Sequence, residues 1–383
     1  MPDSQQALTA TPPRFYAELR GLVFQELRRR GLRHDGGAWA LWKTAALFVH
    51  VAFWYAAWLL AISHGFAWAA LATPPLVLAV VFIVTGAFHD ASHGALHKSR
   101  LVNGIGNCFV RVFGGSAMSW RDEHVVQHHG HTNVYGLDHD LESGGFMRFH
   151  PAQAHKGFHR FQHLYAWFLY GAVILRWLWV EDFNDWARNP YRKPPRARAV
   201  HALEIFGTKL FHAFAFIVVP CAVGGVATGV GAYLFTYALI GMSLATTFVV
   251  AHLSSVQQLA FARSELPEDW GQMQVMTTAN FGVHQAWLTF LIGGLNHQIE
   301  HHLFPTISHR HYPLISRVVR AFCEARAVPY LEFPSFPAAI AGHYRHLKRL
   351  GSERPLTHQA AQDGSGRYPP HRLGQPLDTL RPS

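Results

Sequence analysis

Two long stretches of this 383-residue chain, Thr44 to His89 and Leu210 to Ala262, contain no Asp, Glu, Lys or Arg. That absence limits the fold more than any motif does. In lipid every backbone N–H and C=O must be satisfied within its own element, and a helix needs about 20 apolar residues to cross the hydrocarbon core. Each stretch is long enough for two crossings. The first breaks at Ser63-His64-Gly65 and predicts spans near 44–63 and 67–88. The second breaks around Gly224-Gly225 and Thr228-Gly229-Val230-Gly231 and predicts spans near 210–227 and 232–252. The expected fold class is an all-α integral membrane protein with four transmembrane helices as two hairpins. Both outer turns are very short, so the remaining chain forms a helical cap on the other, cytosolic side.

Half of the residues are apolar, and only 15% are charged against about a quarter in soluble proteins. The net charge of +10 does not point to nucleic acid, because Lys and Arg flank the apolar stretches instead of forming one basic domain. Anionic headgroups of the cytoplasmic leaflet are the expected counter-charge. The densest basic run, Arg188 to Arg198 with Arg192, Lys193 and Arg196 between, marks the cytoplasmic side by the positive-inside rule. Cys108, Cys221 and Cys323 are scattered in apolar settings, and read as buried thiols, neither disulfides nor a metal site.

Residues 1–38 form an N-terminal cytosolic segment. Its first 13 residues are polar, expected to be disordered, and show no secretory signal. Phe15, Leu19, Leu22, Val23 and Leu27 then recur at helical spacing among arginines. This describes an amphipathic helix, either on the membrane surface or packed on the rest of the protein. Residues 39–350 form the main domain, and 351–383 a tail whose composition predicts disorder. Phe161 to Val180 is apolar but holds His163 and Arg176. An Arg at a helix centre costs roughly 2.5–3.5 kcal/mol on insertion scales, so this is expected to be an interfacial or buried helix.

The 28 histidines concentrate in three clusters. His89-Asp90-Ala91-Ser92-His93 lies at the mouth of the second span. His124-Val125-Val126-Gln127-His128-His129-Gly130-His131-Thr132-Asn133 follows it. Asn296-His297-Gln298-Ile299-Glu300-His301-His302-Leu303-Phe304-Pro305 comes after the fourth span, which itself ends at His252. On an α-helix His89 and His93 share a face, as do His124 and His128, with His129 roughly 100° further round. In the third cluster Gln298, His301 and His302 share a face, and His297 is the alternative upstream partner of His301. Imidazole suits iron, copper, zinc and nickel, so residue type does not select the metal. Seven imidazoles plus His252 are too many for one mononuclear site with open positions; they suit two.

Over roughly residues 40–330 the chain resembles the membrane-bound fatty acid desaturases, the histidine-box di-iron family. The resemblance rests on the His-x3-His, His-x3-His-His and Gln-x2-His-His boxes, on Trp120, Asp138, Asp140, Trp270, Gln274 and Asn280 around them, and on the four-span layout. It is similar in wording to the acyl-lipid, front-end group. The resemblance implies that His89, His93, His124, His128, His129, His252, His301 and His302 bind two iron ions (Fe2+/Fe3+). Gln298 stands where many members have a further His, and would bind weakly, through water or not at all. His97, His131 and His284 have no box position.

The same resemblance implies an O2-dependent acyl desaturase, an oxidoreductase of lipid metabolism with its active site on the cytoplasmic side. Its substrate would be an acyl-lipid or acyl-CoA, and its electrons would come from a ferredoxin or cytochrome b5. His34-Asp35-Gly36-Gly37 lacks the proline of a fused cytochrome b5 motif, so an external donor is expected, with the basic run near 188–198 as a possible dock. The alternatives are a di-iron lipid hydroxylase and, remotely, a metal-binding membrane transporter, for which the spans offer only His50, His64 and His212.

Overall fold

A computed structural model describes residues 15–188, 193–257, 259–260 and 262–352. The expectations of disorder for 1–13 and for the tail beyond 352, and residues 189–192 of the basic run, lie outside the described residues. In chain order the elements that matter are α1 (Phe15–Arg29), α2 (Gly37–Ser63), α3 (Phe66–Ser92), α4 (Arg100–Val112), α5 (117–131), α6 (Gln162–Arg176), α7 (Pro195–Gly224), α8 (Val226–His252), α9 (Trp270–Thr277), α10 (Gln298–Leu303), α11 (Tyr312–Ala325) and α12 (Phe336–Ser352). The named strands are two residues each, Asn280–Phe281 paired in parallel with Glu332–Phe333.

The helices α2, α3, α7 and α8 are long and apolar enough to cross a membrane. The protein is an all-α membrane protein built from two hairpins. Their turns fall where the small residues predict them, with Gly65 (φ +106°) between α2 and α3 and Gly225 (φ +80°) between α7 and α8. The two turns also meet. A Cβ on Gly224 would sit 2.5 Å from the Ile62 carbonyl oxygen, which only a glycine avoids. Across the bundle, Trp58 Nε1 donates to Thr73 Oγ1 (3.2 Å), which lies 3.2 Å from Thr236 Oγ1. Tyr237, Ile240, Leu76 and Val80 pack around them.

The helices run past the predicted limits. α2 begins at Gly37, α7 at Pro195 and α8 at Val226. Charged residues bound the apolar windows, but a helix need not stop where hydrocarbon does. α7 starts well before its apolar window, with Pro195 in its first turn, where a missing N–H costs nothing. α2 even includes Lys43, fully buried within the protein.

α6 is not among the four candidate spans. It packs along α8, with Arg176 paired to Glu181 at 2.7 Å, which fits the expected interfacial or buried helix. α1 packs on the rest of the protein. Leu19, Val23 and Leu27 are buried in a cap core with Ile299, Leu303, Ile315, Val319 and Phe322, so the packed reading holds. The cysteine reading needs correction: Cys323 is buried, but Cys108 is exposed and Cys221 half-buried. Cys108 sits on the outer face of amphipathic α4, beside exposed Leu101 and Ile105, so an apolar neighbourhood there means an outward face, not a core.

Candidate metal centre

The three boxes and His252 come from separate segments and meet at the C-terminal ends of α3 and α8. His89 and His93 follow a π-helical turn, Val84–Phe88, in α3. The second box lies in a π-wound stretch, Arg121–His128, where a straight α-helix was expected. The difference matters for direction. At about 4.4 residues per turn, His128 falls about 33° short of His124 and His129 about 49° beyond it, whereas an α-helix would turn His129 about 140° away. The ring centroids agree: His124 lies 5.4 Å from His128 and 4.9 Å from His129. One strand of chain thereby offers imidazoles to both sides of a divided site.

The side chains form overlapping groups whose ligand atoms lie within 4.8 Å of one another: His89, His93, His124 and His301; His128, His252 and His302; and His129 with His301 and His302. All eight imidazoles of the sequence expectation are brought together. His129 is central, with ring centroids 4.3 Å from His302 and 4.7 Å from His301. His297 joins none of these groups; its Nδ1 faces Glu300 at 3.6 Å. Gln298 is buried, and neither amide atom has a hydrogen-bond partner. Glu300 turns to the cap instead, accepting from Asn280 Nδ2 (2.9 Å) and Tyr330 Oη (2.8 Å).

These residues fit a pair of metal ions. Nε2 of His93, His129, His301 and His302 is buried without a partner, a costly state for any group that does not bind something. In three rings of the cluster Nδ1 is held, whereas His129 Nδ1, like its Nε2, has no partner. His128 Nδ1 faces Asp138 Oδ1 at 3.0 Å, His302 Nδ1 faces Gln274 Oε1 at 2.8 Å, and His301 Nδ1 faces Tyr312 Oη at 3.2 Å. With Nδ1–H donating, each Nε2 keeps its lone pair for a metal. Burial, reinforced by neighbouring imidazoles, holds His93, His124, His129, His301 and His302 well below the usual histidine range, so they remain neutral. His128 differs: burial lowers it, but Asp140 and Asp138 outweigh burial and raise it to about 9.

Several supports follow from the motif. Trp120 stacks on His124 at 4.3 Å. Asn133, at φ +60°, donates to the carbonyls of His252 (2.8 Å) and Thr277 (2.9 Å). Trp270 Nε1 and Gln274 Nε2 both donate to the His129 carbonyl. Sequence reading missed Tyr312 and His309, which sit outside any box and carry no spacing signal. His97 accepts from Ser99 N and is structural.

A cavity of about 440 Å3 reaches this cluster. α8 lines it with a single stripe, Tyr237, Ile240, Leu244, Ala245, Phe248, Val249 and His252; α3 adds Val80, Val84 and Phe88. The walls are apolar along the spans. Beyond the spans they carry His139, Asp140, Glu142, Arg176 and Glu181.

Residues 66–334 match the fatty acid desaturase family model. The chain is 36% identical over 275 residues to an acyl-lipid (8-3)-desaturase of Physcomitrium patens, covering 69% of this chain and 56% of that protein. It is 32% identical over 270 residues to an sn-1 linoleoyl-lipid 6-desaturase of Synechocystis sp., covering 69% and 75%. It is 31% identical over 278 residues to the Delta(5) fatty acid desaturase A of Dictyostelium discoideum, covering 69% and 60%. The matched region thus spans between about half and three quarters of these relatives' lengths. Three histidine boxes that converge on unpartnered nitrogens, beneath an apolar cavity between two hairpins, and a family match over most of the chain lead to one statement: this protein belongs to the fatty acid desaturase family.

Proposed function

We propose that this protein introduces a carbon–carbon double bond into a fatty acyl chain, using O2 and electrons from an external carrier. The observation that carries the reading is the course of the cavity. Its wall includes His124 and His252, one from each of two separate imidazole groups, so a chain lying in it passes beneath both halves of the metal centre. His89, His93, His124 and His301 would hold one iron, and His128, His252 and His302 the other. His129 lies between them, and Gln298 would contribute through a water at most. When bound, the iron pair supplies the oxidising power that side chains lack.

The chain's own residues do the rest. Phe248, Leu244 and Ile240 exclude water and hold methylene groups in line. Asp138 and Gln274 Oε1, which accept, fix the tautomers of His128 and His302, and Tyr312 orients His301. The relatives act on acyl-lipids by name, and a glycerolipid-bound chain is the proposed substrate, with desaturation on the carboxyl side of an existing double bond. The metal centre faces the cytoplasm. A ferredoxin or cytochrome b5 supplies electrons. Its proposed dock is the basic run near 188–198, where Arg188 and Arg196 are exposed while Lys193 is paired with Asp122 and Arg198 stacks on Trp186.

Among the described residues the converging groups include none of the span histidines His50, His64 and His212. His212 is satisfied by Tyr233 and Tyr237, which does not favour transport. The test is expression in a desaturase-free host fed a deuterated acyl precursor. A new alkene with loss of two deuterons is expected; a hydroxylated product without an alkene would establish the hydroxylase instead.

A further inference from the structure

A buried chain of hydrogen bonds outside the boxes joins three parts of the fold to one half of the centre. Lys43, on α2, is 2% exposed. Its ammonium donates to the Phe290 carbonyl and lies 2.8 Å from His309 Nε2. Lysine has donors only, so His309 Nε2 accepts and its proton sits on Nδ1. That nitrogen donates to Asp90 Oδ2 at 2.8 Å, and Ser308 Oγ donates to the same oxygen at 2.9 Å. Asp90 lies between His89 and His93 in the first box, and its carboxylate points to the 308–309 turn. Three residues on, Tyr312 Oη meets His301 Nδ1. The short segment from Ser308 to Tyr312 therefore grips His89 and His93 through Asp90, and His301 directly. Those three belong with His124 to one imidazole group; none is in the His128, His252, His302 group.

We propose that Lys43, acting through His309 and Asp90, is a positioning residue for one half of the metal centre, the iron held by His89, His93, His124 and His301. The inference rests on the two-iron reading above. Without the ammonium, His309 loses the donor that fixes its tautomer, and Asp90 loses a fixed Nδ1–H partner and the balancing charge of Lys43. The first box then turns on α3 while the second group of ligands is untouched. Outer contacts of this kind are worth about 10–100-fold in metal affinity.

The test is iron content and chelator-release kinetics of the full chain purified in detergent. Lys43→Met is compared with Lys209→Met, which breaks another buried ion pair, Lys209 with Asp182, that touches no imidazole of the centre. The wild type binds two irons; if it does not, the two-iron reading fails rather than this inference. Lys43→Met is expected to fall toward one iron per chain, with the remaining iron released at the wild-type rate, while Lys209→Met keeps two. Retention of two irons at unchanged release rate in Lys43→Met overturns the proposal, as does equal iron loss in both variants. If Lys43→Met does not accumulate, Ser308→Ala decides. It removes one bond to Asp90 without stranding a charge; faster release of a single iron supports the proposal, and unchanged release overturns it.

Discussion

Replacing Asp138 with asparagine tests how the other half of the centre is held. Asp138 is 1% exposed and its two oxygens accept from three donors. Oδ1 takes His128 Nδ1 at 3.0 Å and the Asp140 amide at 3.0 Å; Oδ2 takes the Asn133 amide at 2.7 Å. Asparagine keeps the shape but converts one oxygen into a donor, and either orientation fails. If the NH2 faces His128, it opposes the Nδ1–H, and only Asp140 Oδ2, 3.2 Å away, is left to keep that proton from moving to Nε2 and cancelling the lone pair aimed at the centre. If the NH2 faces Asn133, two N–H groups oppose each other in the turn that closes the second box. The carboxylate charge that helps raise His128 to about 9 disappears in both cases. An outer carboxylate–histidine contact is worth about 10–100-fold in metal affinity, or about 1.4–2.7 kcal/mol. Isothermal back-titration of iron into chelated protein is expected to show one site weakened by that factor and the other unchanged. Two sites of wild-type affinity in Asp138→Asn would refute the assignment of His128 as a ligand oriented by Asp138.

Other consequences follow from packing and charge. Tyr237 lines the cavity fifteen residues before His252 on α8, about 22 Å away at 1.5 Å per residue; Tyr237→Ala should admit longer acyl chains, read as a shift in product length profile, and an unchanged profile would show that the chain ends elsewhere. Leu19→Ala in α1 should lower cap stability by about 2–5 kcal/mol, seen as a reduced thermal midpoint in detergent without lipid, because its partners are protein side chains and not bilayer. In the cap, burial lowers His150 to about 3 and His343 to about 4 from 6.5. Both are neutral when folded, so their contribution is complete above 6.5 and is lost as pH falls through about 4 and then about 3. The thermal midpoint should therefore drop on acidification below 6.5, and His343→Gln should flatten that decline.

Sequence alone determined the class of fold and most of the site, because both depend on properties local to a stretch of chain. A run without charge can lie in lipid wherever it occurs, and small residues such as Gly65 and Gly225 mark turns through backbone freedom alone. Imidazoles repeated at helical spacing in three places identified seven of the residues that meet, and the family resemblance added His252, Asp138 and Gln274. What only the tertiary structure decided were properties of contact between distant segments. The π-winding of 121–128 redirects His129, and no local propensity announced it. Lys43 lies in a span despite its charge because His309 and Phe290, some 250 residues away, receive its protons. α1 has an apolar stripe that fits lipid or protein equally well, and its cap partners choose between them. The division of the histidines into two groups is likewise a matter of which ring meets which, since identical imidazoles carry no label in sequence; three of them, His128, His302 and His301, are further set by the carboxylate, amide or phenol on the far side of the ring.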